Sequence, residues 1–362
     1  MKAIIVMPCL NEERVLLDTC RSLGFGAGVP DADDVSLVLV DNASTDNTAR
    51  VMEQVRDASR PGTVFLEREE ERGYVPPRHK GVTKAKEVAV ASGLRDDQVL
   101  IVQADADTFY APDYAKVMRE AAEGVDAGVL LEGAMLPTDE FVLAHSGFVA
   151  LSDEVDRAVE RSFASDEDDV IVGDSVSAYL LSDYARWGGH VREYNHADDE
   201  MFAETSRLYI KGKLLGARRE KIHAATAYPS RRKVFEDPGL YFATAGFPRE
   251  MAWRARWRRA MPELKTMADF EHNDARTILG TEIEIRRLHL AFLFCVLPRV
   301  VAIAEGRTSS GVSETPIGAF VRSRLGSFGA EQVRANTGAV FGACLDLIEG
   351  EPAMLQSMLA QQ

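Results

Sequence analysis

"VLIVQADADTFYAPDY", residues Val99 to Tyr114, decides how the chain folds. Val99 to Val102 are apolar on both faces of any strand they form, and within five further positions the chain presents Asp105 and Asp107, with Thr108 and Pro112 behind them. A strand apolar on both faces belongs in a sheet covered on both sides, which is the usual setting of parallel strands. In open sheets of that kind ligands sit outside the carboxyl ends of the strands. Two carboxylates at such an end face a crevice, and their mutual repulsion is relieved when a divalent cation lies between them and a phosphate.

Working outward, three earlier runs have the same character: "AIIVM" from Ala3, "VSLVLV" from Val35 and "TVFLE" from Thr63. Amphipathic stretches from Glu12 to Leu23, Thr48 to Ala58, Arg78 to Ser92 and Asp113 to Glu123 alternate with them. Strands separated by helix-length connections predict an α/β fold with a mostly parallel sheet flanked by helices. Two more strand ends are polar, "PCLNEE" after the first and "DNASTDNT" after the second. Beyond Asp126 come "GVLLEGAM", a helix-like segment from Glu140 to Ser162, "DSVSAYLLSDYARWGGH" with its Gly188-Gly189 break, and "HADDEMFAETSRLYIKG", whose acids are expected to open a helix. From about Leu240 to Gln362 strand alternation stops and the pattern is mainly helical, with a loop expected around "GRTSSGVSETP".

Composition narrows the function. The 362 residues carry 57 acidic and 42 basic side chains, an excess of 15 acids that argues against a nucleic-acid partner. Cys9, Cys20, Cys295 and Cys344 show neither a CxxC pair nor metal-ligand spacing and fit a reducing, cytoplasmic setting. "MKAIIVMPCLNEE" is too short and wrongly ended for a signal peptide. The longest later apolar run, Leu288 to Pro298, falls short of the ~20 residues that cross a bilayer, so no transmembrane span is expected.

Mg²⁺ takes hard oxygen ligands, commonly one or two carboxylates completed by phosphate and water, which suits Asp105 and Asp107. Asp41 precedes the residues Ser44 to Asp46, read as caps of the next helix, and is placed to accept a hydrogen bond from a bound group such as a base ring N–H. Pro8 and Asn11 shape a loop beside that site, and Glu12 reads as a first-turn acid. "RGYVPPRHKGVTKA" puts Arg78, His79 and Lys80 just ahead of a helix, where a rigid basic loop suits a diphosphate; the plainer alternative is a solvated turn offsetting "EREEER". "WRARWRRAMPEL" places Trp253 and Trp257 four apart among Arg254, Arg256, Arg258 and Arg259, a pattern that serves either a peripheral membrane contact or, the favoured reading, tryptophans packed on the protein with arginines toward its own acids.

Taken in order, "IIVMPCLNEE", "VLVDNASTDNT", "RGYVPPRHKG", "VQADADT", "AYLLSDYARWGGH" and "DDEMFAETSRLYIKG" resemble the GT-A fold glycosyltransferases of inverting family 2, over roughly Met1 to Arg232. The resemblance implies a catalytic domain over 1–232, with a nucleotide-binding half (1–110) and an acceptor half (111–232), followed by a helical C-terminal extension (233–362). It implies that Pro8, Leu10, Asn11, Glu12 and Asp41 hold the nucleoside of a nucleotide-diphosphate sugar. It also implies that Asp105 and Asp107 bind ribose and the metal diphosphate, with Asp107 the direct ligand of Mg²⁺ or Mn²⁺. Asp199 corresponds to the catalytic base, in a run Asp198-Asp199-Glu200 that departs from the family's Glu-Asp pattern, and Asn42 stands where a second Asp is common. Arg78 would add charge to the leaving group. His223 corresponds to a residue that completes the metal shell in some relatives, although a lone His after a strand is more often a packing residue. Arg231 and Arg232 resemble the basic pair ending the family's catalytic region.

An inverting transfer needs a base for the acceptor hydroxyl and a Lewis acid for the departing diphosphate. The alternatives are a retaining GT-A enzyme with a glycerate-type acceptor, in which His223 would be a ligand; a nucleotidyltransferase, which normally needs a Gly-rich basic loop where this chain has "PCLNEE"; and a binding protein without activity. The acceptor, whether saccharide, lipid-linked or small molecule, and any homo-oligomer stay open.

Overall fold

The computed structural model describes residues 1–28, 34–246, 257–261, 263–307, 316–325 and 328–360. Trp253, Arg254, Arg256 and most of "GRTSSGVSETP" lie outside the described residues. The chain divides into two compact units, each discontinuous in sequence: Met1–Leu136 with Val172–Arg192 and Ala203–Ser230, and Pro137–Ile171 with Glu193–Phe202 and Arg231–Gln362. The last join falls at Arg231, and residues 137–171 and 193–202 group with the C-terminal helices.

The first unit holds one eight-stranded sheet: β1 (Lys2–Cys9), β2 (Val35–Asp41), β3 (Val64–Arg68), β4 (Val99–Gln103), β5 (Thr108–Tyr110), β6 (Val129–Met135), β7 (Ser177–Leu180) and β8 (Arg218–Pro229). Their order is β3-β2-β1-β4-β7-β6-β8-β5. The β3-β2-β1-β4 half is parallel throughout, and β7 then runs antiparallel to both β4 and β6. The first four strands stand where the apolar runs predict them: β1, β2 and β4 are buried on both faces, as such runs require, and β3, at the sheet edge, is only partly buried. One face packs on Leu16, Met52, Val55, Tyr114 and Met118 from helices α1 (Leu16–Ser22), α2 (Thr48–Ala58) and α4 (Tyr114–Glu123). The other packs on α3 (Val75–Ala91) and on Tyr179, Tyr184, Trp187 and Tyr209. α3 begins earlier than its pattern indicated, since Pro76 and Pro77 occupy the first turn, where the missing N–H groups cost nothing. It lies so close to the sheet that Gly81 faces Val6 and Val40 with no space for a side chain.

The second unit is helical. The expected helix from Glu140 to Ser162 breaks at His145 into Asp139–Ala144 and Ser146–Glu160, and these pack Phe141, Phe148, Leu151 and Val155 around Phe242, Phe270, Leu279 and Ile283. Among the described residues one helix, Gly280–Ala304, is by length and composition able to cross a bilayer, and 72% of its apolar window is buried inside the protein. It extends beyond the apolar run Leu288–Pro298 on both sides, and a π-helical turn, Ala291–Val296, leads into a last section that accommodates Pro298 in its first turn. Trp257 is buried edge-on against His289, 5.3 Å between ring centres, as the packing reading of that segment expects for this residue.

Gly81→Ala places a methyl inside the contact distance of the Val6 side chain. Overpacking of this kind costs about 1–3 kcal/mol, more than the ~1 kcal/mol that alanine returns as a better helix former. The variant is expected to unfold at lower urea concentration with an unchanged slope.

Candidate functional site

The carboxyl ends of β4, β1 and β2 lie side by side, and each is closed by side chains rather than left as open loop. After β1, Asn11 takes a left-handed backbone (φ 57°), which asparagine tolerates, and its side-chain oxygen accepts from Thr45 N at 2.8 Å while its own N–H donates to Ser44 Oγ at 3.1 Å. Glu12 N donates to Thr48 Oγ1 and Glu13 N to Asp46 Oδ2. Of the expected caps, Asp46 serves α2 by accepting from Thr48 N at 2.9 Å, whereas Ser44 is spent on the neighbouring loop. Leu10 remains 38% exposed at the tip and Pro8 is half-buried behind it.

Asp41 is buried, with Oδ1 accepting from Ser44 N at 3.1 Å and Oδ2 4.0 Å from Arg68. Asn42, also buried, does a different job: its amide donates to the carbonyls of Glu69 and Glu71 at 3.1 and 2.7 Å and accepts from Gly73 N at 3.2 Å. An aspartate has no N–H to offer those two carbonyls, so the departure at 42 is explained by loop anchoring.

Beyond β4 the turn Asp105–Thr108 closes with Thr108 N on Asp105 O, and it is pinned twice more: Asp105 N donates to the Tyr110 hydroxyl, which donates to Ser175 O, and Ser230 N donates to Asp107 O. Asp105 and Asp107 are both part-exposed. Arg78 lies not in a loop that greets a diphosphate but buried beneath the turn, which corrects the expectation for this residue. Nε donates to Glu204 at 2.7 Å, Nη1 to Gln103 at 2.9 Å and Nη2 to Asp105 at 2.8 Å. Gln103 is held in turn by the Tyr179 hydroxyl at 2.6 Å. Burial opposes the charge on Arg78, but the carboxylates of Asp105, Glu204 and Asp174 more than offset it and hold the proton more firmly than on an ordinary arginine. Three carboxylates around one guanidinium leave an excess of negative charge, and burial together with the Glu204 charge pushes the Asp174 carboxyl up to about 7, against the pull of Arg78 and a hydrogen bond from Thr205.

The expected metal set is only partly brought together. Among the described residues no group of three His, Cys, Asp or Glu side chains converges as a metal site. Asp105 is committed to Arg78, and His223 sits exposed in a β8 bulge where pairing with β6 jumps from Ile222 to Thr226. The donor set that remains at the end of β4, two carboxylates at a part-exposed turn, fits a cation that completes its shell with phosphate and water, not one enclosed by protein.

Asp199 belongs to the second unit, in a tight loop where Tyr194 bridges Glu200; Asn195 Oδ1 accepts from Asp199 N at 2.9 Å and Asn195 Nδ2 donates to Asp199 Oδ2 at 3.2 Å. The acids do not open a helix. That helix, Glu204–Lys213, starts after Ala203, which adopts a left-handed backbone, so Met201 and Phe202 precede it. Arg231 stacks over Phe141 at 5.0 Å, and Arg232 begins a short helix ending at Glu236.

The family model described as glycosyl transferase family 2 matches residues 4–143. That match spans β1 to β6 and covers less than half of the chain. The match carries Asp41, Arg78, Asp105 and Asp107 and stops before Asp174, Asp199 and Glu204. The eight-stranded, mixed sheet flanked by helices, followed by a helical C-terminal region, is the α/β architecture the sequence pattern predicts. Solved structures similar to this chain include S. aureus TarS residues 1–349 with UDP-GlcNAc (14% identity, 97% of this chain and 92% of that one, TM-score 0.46). Another is the mannosyltransferase PcManGT from Pyrobaculum calidifontis with GDP-Man and Mn²⁺ (17% identity, 97% and 88% covered, TM-score 0.44). No curated protein matches the chain in sequence.

Gln103, Asp174 and Glu204 escape a reading of the sequence. The available hint is Gln103 itself, a polar residue closing a buried apolar strand and therefore in need of a partner. Asp174→Asn tests the charge excess. The folded carboxyl keeps its proton up to about 7 and the unfolded one only to 3.8, so the native state binds more protons between those values and this group makes wild-type stability fall as pH rises through that window. Urea midpoints of Asp174→Asn, measured without metal, are expected to gain on the wild type from pH 4 to pH 7 and to hold a constant difference above it.

Proposed function

We propose that this chain is a glycosyltransferase, as its match to the family 2 model over residues 4–143 supports, and that it moves a sugar from a nucleotide-diphosphate donor to an acceptor hydroxyl with inversion, assisted by Mg²⁺ or Mn²⁺. The supporting observation is the Asp105-Ala106-Asp107 turn at the carboxyl end of β4, part-exposed and pinned, beside the β2 end that carries Asp41. In this proposal the loop of Pro8, Leu10, Asn11 and Glu12 together with Asp41 holds the nucleoside, Asp105 orients the ribose, and Asp107 is the carboxylate that takes the cation. The cation, when bound, supplies Lewis-acid neutralisation of the departing diphosphate. Asp199, whose carboxylate is oriented by Asn195, takes the proton of the acceptor hydroxyl as it attacks the anomeric carbon from the face opposite the leaving group. Arg78 carries no contact to the donor in this scheme, because its three nitrogens are engaged below the turn.

A ligand that binds only the native state raises its stability by ~2.7 kcal/mol at a hundred times its dissociation constant. UDP and GDP, with and without Mn²⁺, are the probes: one of them is expected to raise the melting temperature in a Mn²⁺-dependent way, and Asp107→Asn to lose that dependence. Asp199→Asn is expected to lower transfer by about 10²- to 10⁴-fold while keeping the nucleotide shift. Turnover surviving in Asp199→Asn places the base elsewhere, and a product whose anomeric configuration by NMR matches the donor's replaces inversion with retention.

A further inference from the structure

Taking Asp105 and Asp107 as the pair that holds the donor's ribose and metal diphosphate, so that a misplaced Asp105 weakens the nucleotide-assisted binding of the cation, we infer that Glu204 and Arg78 are positioning residues: the start of the helix Glu204–Lys213 sets the orientation of Asp105 through one buried guanidinium. A guanidinium is planar and presents its donors in a rigid fork, so fixing two edges fixes the third. Glu204 and Gln103 fix Nε and Nη1, and Asp105 receives the remaining edge at 2.8 Å. Neither anchor is itself adjustable. Gln103 is fully buried against the Tyr179 hydroxyl, and Glu204, 4% exposed, opens a helix whose next residue, Thr205, donates its N–H to Asp174 at 3.1 Å.

Along this thread exposure rises at one place only, since Arg78 and Glu204 side chains are 7% and 4% exposed and Asp105 is 38% exposed. The buried end therefore cannot touch the donor, while the carboxylate it steers can. A buried ion pair is a poor source of net stability, because the desolvation of both charges consumes most of the attraction. What it supplies here is orientation of a carboxylate that is otherwise free to rotate at a surface turn.

The test is a comparison of Mn²⁺ affinity, by electron paramagnetic resonance with UDP or GDP present, in the full-length wild type, Glu204→Gln, Arg78→Lys, the double variant and Met118→Ala. Met118 is a fully buried core residue on α4, and its variant serves as a control for plain loss of stability. Glu204→Gln, which keeps the shape and removes the charge, is expected to weaken Mn²⁺ binding several-fold. Arg78→Lys, which keeps the charge and loses the fork, is expected to weaken it ~10-fold, and the double variant to bind no more weakly than Arg78→Lys alone, since both changes cut one thread. Met118→Ala is expected to lower the melting temperature without changing the affinity. If Arg78→Lys does not fold, Glu204→Gln against Met118→Ala decides. The positioning role is overturned if Glu204→Gln binds Mn²⁺ like the wild type, if the two effects multiply in the double variant, or if Met118→Ala weakens binding as much as Glu204→Gln does. A wild type that binds Mn²⁺ with neither nucleotide overturns the donor-site reading and this role together.

Discussion

One buried arginine governs the charged heart of the first unit. Arg78 is surrounded by carboxylates from the end of β4, from the segment before β7 and from the start of the helix at Glu204, three pieces of chain far apart in sequence. Removing its charge would leave those acids facing one another in a poorly solvated space, where like charges at short range cost far more than in water. The surrounding structure accordingly supplies every other means of satisfaction: the Gln103 amide, the Tyr179 hydroxyl and the Thr205 N–H. The acidic turn at the surface can exist because the positive charge lies directly under it.

The site as a whole is built by lacing. Neighbouring strand ends in a parallel sheet carry loops that have no ladder of their own, and here the loops after β1 and β2 satisfy each other through Asn11, Ser44, Thr45, Asp46 and Thr48. Asn42 extends the same lacing to the strand beyond, by tying down Glu69 to Gly73. Pre-satisfied loops of this kind lose little conformational entropy when a ligand arrives, which is the advantage of placing a binding site on a rigid sheet rim.

Much of this was legible in the sequence and some was not, for physical reasons. Runs such as Val35 to Val40 reveal parallel strands because both faces must be apolar, and Asp41, Asp105 and Asp107 stand out because acids are foreign to buried strands. Arg78 misleads. A basic residue beside two prolines reads as a loop facing an anion, but prolines also start helices, and only the tertiary fold shows a guanidinium turned inward. Glu204 was invisible as Arg78's partner because they lie 126 residues apart and nothing local marks the pairing. The acids at 198–200 read as a helix start because acids favour first turns, while the left-handed backbone at Ala203 delays the helix to Glu204.

The strand order bears on how the polypeptide matures as it leaves the ribosome. β7 sits between β4 and β6, and β8 between β6 and β5, yet both are synthesised after residues that belong to the other unit. A nascent chain that has emerged only as far as Leu136 holds a parallel four-stranded leaf whose β4 edge has no neighbour. Such an edge is a template for foreign strands. Until Ser177–Leu180 arrives to cover it, that edge of the leaf stays open to pairing with other chains.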